Sequence, residues 1–180
     1  GDRLFEVPFT AVDGLGPLYI RQACASCHQG GGRGPGFVEK VAQVEADGVT
    51  PVAGQPGLPL GHTIRRLMTA GASTPLVPAG SAFKQSTRVG PAVWAAGAIE
   101  AIAESELLRL EAEQASRTDG VSGRINRVTY SSERSADAAF HAHVKGELVI
   151  GRFGVKARVA TLDDFAADAF QGDMGLTSPL

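Results

Sequence analysis

The chain is 180 residues long with a formal net charge of −2, which gives enough length for a real core and no basic footprint for nucleic acid. Hydrophobic residues make up 43%, yet no apolar run reaches the roughly 20 residues of a membrane span. The longest, residues 93–102, is alanine-rich and interrupted by Glu100.

In chain order, residues 1–16 read as loop, with Asp13-Gly14 and Gly16-Pro17 as turn signals. Leu18, Ile20 and Cys24 with polar residues between them predict a short helix ending at Cys27. Residues 29–36 form a glycine-rich loop, and the valines at 38, 41, 44, 49 and 52 fit strand or loop equally. Ile64, Leu67 and Met68 have helical spacing within residues 61–70, and a Pro/Ser-rich loop covers 71–85. The strongest helix is predicted over 91–115, opened by Pro91, with an apolar face of Ala98, Ile99, Ile102, Leu107, Leu108 and Leu110; Ser105 resembles a capped restart within it. After Asp119-Gly120 the apolar residues Ile125, Val128, Val144, Leu148, Ile150 and Val155 to Val159 predict short strands. Thr161-Leu162-Asp163-Asp164 has the form of a capping box, opening a helix through Phe170 that Gly172 stops. No internal repeat and no domain boundary stands out, so residues 1–180 read as one domain.

Chemistry is concentrated at Cys24-Ala25-Ser26-Cys27-His28. Two cysteines three apart with a histidine after the second form the attachment sequence of a c-type haem: each thiol adds across a vinyl group and the adjacent imidazole becomes the proximal iron ligand. With two Cys and four His in the chain, about 0.0005 such arrangements arise by chance. Zinc needs four soft ligands, and these are the only two cysteines. A redox Cys-X-X-Cys belongs at a strand-to-helix junction, and glycine-rich flanks on both sides do not read as one. The expectation is one covalent haem c in a cytochrome c-like haem domain, mainly α with much loop and a few short strands. The 23 glycines and 10 prolines, nearly a fifth of the chain against about 12% on average, suit a fold whose core a large apolar cofactor completes. Covalent haem also predicts export to the periplasm or the extracellular side, and either a removed signal peptide or a trimmed chain would explain the start Gly1-Asp2.

Further segments carry a resemblance: Gly14-Leu15-Gly16-Pro17-Leu18-Tyr19, the haem motif, Gly31-Gly32-Arg33-Gly34, Arg88-Val89-Gly90-Pro91-Ala92, Leu107 to Leu110, Gly120 to Asn126, Gly151-Arg152-Phe153-Gly154 with Lys156, and Gly172-Asp173-Met174-Gly175-Leu176-Thr177. In order and separation these resemble the N-terminal half of the di-haem c-type oxidoreductases of the peroxidase and thiol oxidoreductase kind. The resemblance implies a second haem domain as partner, in another chain or segment. The chain departs from it twice. No second Cys-X-X-Cys-His occurs in these 180 residues, and Val155 stands where a Trp is common after Arg-Phe-Gly, leaving Trp94 as the only tryptophan.

The iron's sixth ligand decides the chemistry, since Met or His there gives an electron-transfer haem and an open position admits peroxide. Met174 is the first candidate, in a glycine-flanked loop; His62 and Met68 follow, and His141 and His143 read as surface residues. Arg33, Arg88, Arg124 and Arg152 each stand beside Gly or Val in loop-like or strand-end settings suited to a haem propionate, and Arg88 and Arg152 are the preferred candidates. Tyr19 reads as a core aromatic. Two functions follow: the haem domain of a peroxidase-like oxidoreductase that needs a second haem half, or an electron-transfer cytochrome c with saturated iron, alone or within a larger complex.

Overall fold

Short elements separated by tight turns follow from the glycine and proline content, and the computed structural model bears this out for residues 2–58, 61–73, 78–132 and 142–177, which it describes. The described chain divides into two compact units, Gly1–Val93 with Ala169–Thr177, and Trp94–Asp168.

The first unit opens with helix α1 (Asp2–Glu6) and a 3-10 turn, Ala11–Asp13, whose Thr10 and Asp13 cap each other reciprocally. Strand β1 (Leu18–Tyr19) pairs antiparallel with β4 (Leu67–Met68). Strand β2 (Val38–Gln43) is the centre of a three-stranded antiparallel sheet between β3 (Thr63–Ile64) and β5 (Phe83–Arg88). The β2–β5 ladder runs over six pairs, from Val38 opposite Arg88 to Gln43 opposite Phe83. Val41, Leu58 and Ile64 bury together against Phe83 beneath this sheet.

The second unit holds α2 (Ala96–Glu100), α3 (Glu104–Ala115), and the antiparallel pair β6 (Arg127–Thr129) and β7 (Leu148–Ile150). Its core is Tyr130, Val149 and Ala160 with Val128 against them. Helix α4 (Leu162–Met174) begins here, and from Ala169 onward its residues belong to the first unit.

The expectation of a mainly α, cytochrome c-like domain is overturned: the described residues are 27% helical and 18% strand. The reason lies in short apolar runs, where period alone does not separate helix from strand. Residues 61–70 carry β-branched Thr63, Ile64 and Thr69, and they form β3 and β4 instead of a helix. Leu18-Tyr19, directly after Pro17, takes the extended conformation opposite β4, so the helix predicted over 18–27 shrinks to one turn at the cysteines. The helix predicted over 91–115 is two. Ala103 is extended (φ −63°, ψ 142°) and caps α3 in place of Ser105, and Arg152 Nη1 donates to the carbonyls of Ile99 and Ile102 at the break. Trp94 lies before α2 and is exposed.

The strands around Val128 and Ile150 form as the alternation predicts. Thr161 caps α4, its Oγ1 accepting from Asp164 N at 3.2 Å. That helix runs through Gly172 and ends where Gly175 adopts φ +71°, with Leu176 N donating back to Phe170 O. The loop predicted over 71–85 gives way to β5 at Phe83; its residues 74–77 lie outside the described ones.

Candidate functional site

The path into the motif is fixed by the end of α4. Gly16 N donates to Met174 O at 3.0 Å and Ile20 N to Asp173 O at 2.6 Å, while Arg65 Nε donates to Gly172 O. A Cβ on Gly175 would stand 2.6 Å from Gly16 O, so the two glycine-containing segments touch backbone to backbone. From this anchor the chain enters a single 3-10 turn, Cys24–Ser26. The Cys24 carbonyl accepts from both Cys27 N (3.0 Å) and His28 N (2.8 Å). Residues three apart eclipse in a 3-10 turn, so one turn suffices to put both thiols on one side.

Both cysteines are free and half-buried. Burial pushes the Cys24 thiol up. It does the same at Cys27, where the Arg21 guanidinium pulls the other way and the Asp173 carboxylate adds to the rise. Such thiols stay protonated at neutral pH, the opposite of the low-pKa thiolate that disulfide exchange requires. Arg21 itself stacks on Phe37, its Cζ 4.1 Å from the ring centre, and donates Nη1 to Ile20 O.

His28 Nδ1 lies 3.1 Å from Gly32 O. A carbonyl only accepts, so Nδ1 carries the proton and Nε2 keeps its lone pair, which is the tautomer a metal-ligating imidazole needs. The ring sits 6.3 Å from that of Phe5, and Gly90 closes on its Cε1–Nε2 edge. Among the described residues no group of three or more His, Cys, Asp or Glu converges as ligands of a bare metal ion would. A c-type haem asks for something else: two thiols for its periphery and one imidazole for its iron, and this turn supplies them.

A family model described as "Di-haem oxidoreductase, putative peroxidase" matches residues 80–180, more than half of the chain. The chain belongs to this di-haem oxidoreductase family. No curated protein and no solved structure matches it. The matched span of this di-haem oxidoreductase includes Arg88, Gly90, Arg152 and Met174; Cys24, Cys27 and His28 precede it.

The other candidates fall in several places. Met174 is not in a loop; it is the last residue of α4, 5% exposed in an apolar cluster with Leu15 and Leu176, against Phe9, Tyr19 and Phe170. Tyr19 is thus a packing aromatic. Met68 stands opposite Leu18 and is exposed, as is His62, whose Nδ1 is 3.2 Å from Val41 O. His143 belongs to the second unit and is buried with its ring 5.5 Å from that of Tyr130, not on the surface; His141 lies outside the described residues. Within that unit His143 also borders a cleft of about 580 Å³ together with Glu104, Arg127 and Glu147.

Arg88 ends β5, exposed and without a polar partner among the described residues, two positions before Gly90. Arg33 and Arg124 are exposed. Arg152, in the second unit, has Nη1 on the α2–α3 break while Nε and Nη2 find no partner among the described residues. Sequence reasoning passed over Gly32, Arg21, Phe5 and Asp173. Arg21 stands three residues before Cys24, and that spacing alone could have marked it; the contacts of Phe5 and Asp173 are set by the fold.

Proposed function

We propose that Cys24, Cys27 and His28 hold one covalent c-type haem, and that the chain is a haem-carrying part of a peroxidase-like di-haem oxidoreductase, exchanging electrons with a second haem half. The observation that carries this reading is the His28 Nδ1 to Gly32 O bond at the turn that holds both cysteines. In the neutral ring that bond leaves Nε2 with its lone pair, on the residue directly after Cys27. Bound haem supplies a one-electron centre at its iron. The chain's residues supply the rest. Each thiol gives its sulfur to one vinyl carbon and its proton to the other, forming a thioether. Gly32 holds the imidazole in its ligating tautomer. Phe5 and Phe37, beside His28 and Arg21, give apolar surface to a macrocycle, and Arg88 is the guanidinium still open to a propionate.

Enzyme is favoured over carrier by the setting of Met174. Its side chain is buried in an apolar cluster with Leu15 and Leu176, against which Phe9, Tyr19 and Phe170 pack, so Met174 would not serve as an iron ligand there; a haem held by His28 alone would bind a small ligand such as peroxide. Covalent haem of this kind is attached on the exported side of bacterial membranes, so the reading places the protein there.

The test is intact mass and a ferric absorption spectrum of the exported, purified protein. One haem mass on the chain and a high-spin spectrum that shifts with cyanide are expected. A chain with no haem mass overturns the haem assignment. A cyanide-insensitive, low-spin spectrum that changes in Met174→Ala overturns the enzyme reading in favour of the saturated carrier.

A further inference from the structure

Gly90 and Gly34 meet at the haem motif from different parts of the chain. Gly34 N donates to Gly90 O at 3.1 Å and Val93 N to Gly31 O at 2.9 Å, so residues 90–93 are laced to the loop that follows His28. The lacing continues the β2–β5 ladder, whose last pair is Val38 with Arg88. Neither glycine has a left-handed φ, so the backbone at both sites accepts any L residue. What the sites lack is room. A Cβ on Gly90 would lie 2.8 Å from His28 Cε1 and 3.3 Å from Nε2, and one on Gly34 would lie 3.2 Å from Cys27 O and 3.3 Å from Gly90 N.

We propose that Gly90 is a positioning residue for the proximal histidine: the β2–β5 ladder delivers a residue without a side chain to the Cε1–Nε2 edge of His28, beside the Nδ1 atom that Gly32 holds. The ring is then fixed at two neighbouring atoms, at Nδ1 by a hydrogen bond and at Cε1 by contact. Any side chain at position 90 competes with the imidazole for its place, or with the macrocycle for access to Nε2. The inference deepens the haem reading given above and rests on it. It also gives the glycine of Arg88-Val89-Gly90-Pro91 a reason that is spatial and not conformational.

The experiment uses the holoprotein in three forms: unsubstituted, Gly90→Ala, and Gly97→Ala as control, since a Cβ at Gly97 meets nothing within 4 Å. All three should carry one haem by intact mass. The unsubstituted and Gly97→Ala ferric forms should take up one external imidazole, at the open sixth position, and Gly90→Ala should take up two, because the displaced His28 yields its own position as well. Equal imidazole titrations in all three would overturn the proposal. Should Gly90→Ala fail to fold by far-UV circular dichroism, the unsubstituted ferrous protein with carbon monoxide bound gives the answer by NMR. A nuclear Overhauser contact between His28 Hε1 and the Gly90 Hα protons is expected, and its absence overturns the proposal. A chain with no haem mass in any form refutes the haem reading itself, so mass alone tells the two failures apart.

Discussion

Met174 shows how one side chain's surroundings constrain its chemistry. A thioether can ligate iron or fill an irregular apolar space, and its sequence setting between glycines is compatible with both. In the fold it lies in a cluster with Leu15 and Leu176, walled by Phe9, Tyr19 and Phe170. Truncating a buried Met removes its contacts and leaves a cavity, at a typical cost of about 2–5 kcal/mol. Met174→Ala should therefore lower the unfolding free energy measured in denaturant by that much while leaving the ferric haem spectrum unchanged. Equal stability of the variant would show that the side chain does not pack as described. Arg152 presents the same kind of choice. Its Nη1 satisfies carbonyls left open where α2 ends, so Arg152→Ala should loosen the α2–α3 junction, visible as faster amide exchange at residues 96–107.

At the scale of elements, α4 gives the clearest test of local logic. Thr161 is 1% exposed and its Oγ1 accepts from Asp164 N, so it caps the helix and fills space at once. Thr161→Val keeps the shape but leaves that N–H without its acceptor, with an expected loss of about 1–2 kcal/mol in chemical denaturation. Thr161→Ser keeps the cap and should lose less; a reversed order would refute the capping role. This cap was legible in the sequence because its signal spans four residues and needs no distant partner. So were the β6 and β7 strands, built on the β-branched Val128 and Ile150. The cysteines and His28 were legible for the same local reason. Residues 18–27 and 61–70 were not, because Leu18-Tyr19 and Leu67-Met68 become strands only by pairing with each other across about 50 residues. The seam at Gly90 was beyond sequence reasoning too: its glycine answers to His28, 62 positions earlier, and no spacing rule connects them.

For the whole molecule, acid stability follows from how its carboxylates are held. Among the described carboxylates, five are held below their ordinary pKa values and one above. Asp13 and Asp47 accept from neutral Thr and backbone donors; Glu39, Glu106 and Asp119 accept from Arg66, Arg109 and Arg117. A carboxyl lowered on folding stabilises the fold above its unfolded value, 3.8 for Asp and 4.5 for Glu, and that contribution is lost as the pH falls through the folded value. Asp164 runs the other way, because burial raises it; its contribution is present below 3.8 and lost as the pH rises through its folded value. Five against one predicts a melting temperature that drops on acidification below about pH 4.5. The arginine-paired share of that drop should shrink in about 1 M salt, while the Asp13 and Asp47 share persists. A melting temperature constant from neutral pH down to about 3 would contradict this assignment.

Each of the three buried clusters among the described residues contains only three buried side chains, and large apolar side chains such as Val89 and Phe37 remain exposed on the segments around the motif. In the proposed haem-bearing form, an apolar macrocycle tethered at Cys24 and Cys27 would supply area that side chains do not. A ligand at a hundredfold excess over its Kd stabilises by about 2.7 kcal/mol, and a covalent tether raises the local concentration well beyond a freely added one. The double variant Cys24→Ala/Cys27→Ala, which cannot form either thioether, should unfold at least about 3 kcal/mol more easily than the haem-bearing chain. Its loss should concentrate in the first unit, where both cysteines and His28 lie, and amide exchange should therefore quicken at residues 34–43 and 83–90 before it does at β6 and β7. Uniform loosening across both units would instead mean that the haem site and the rest of the chain unfold as a single cooperative body.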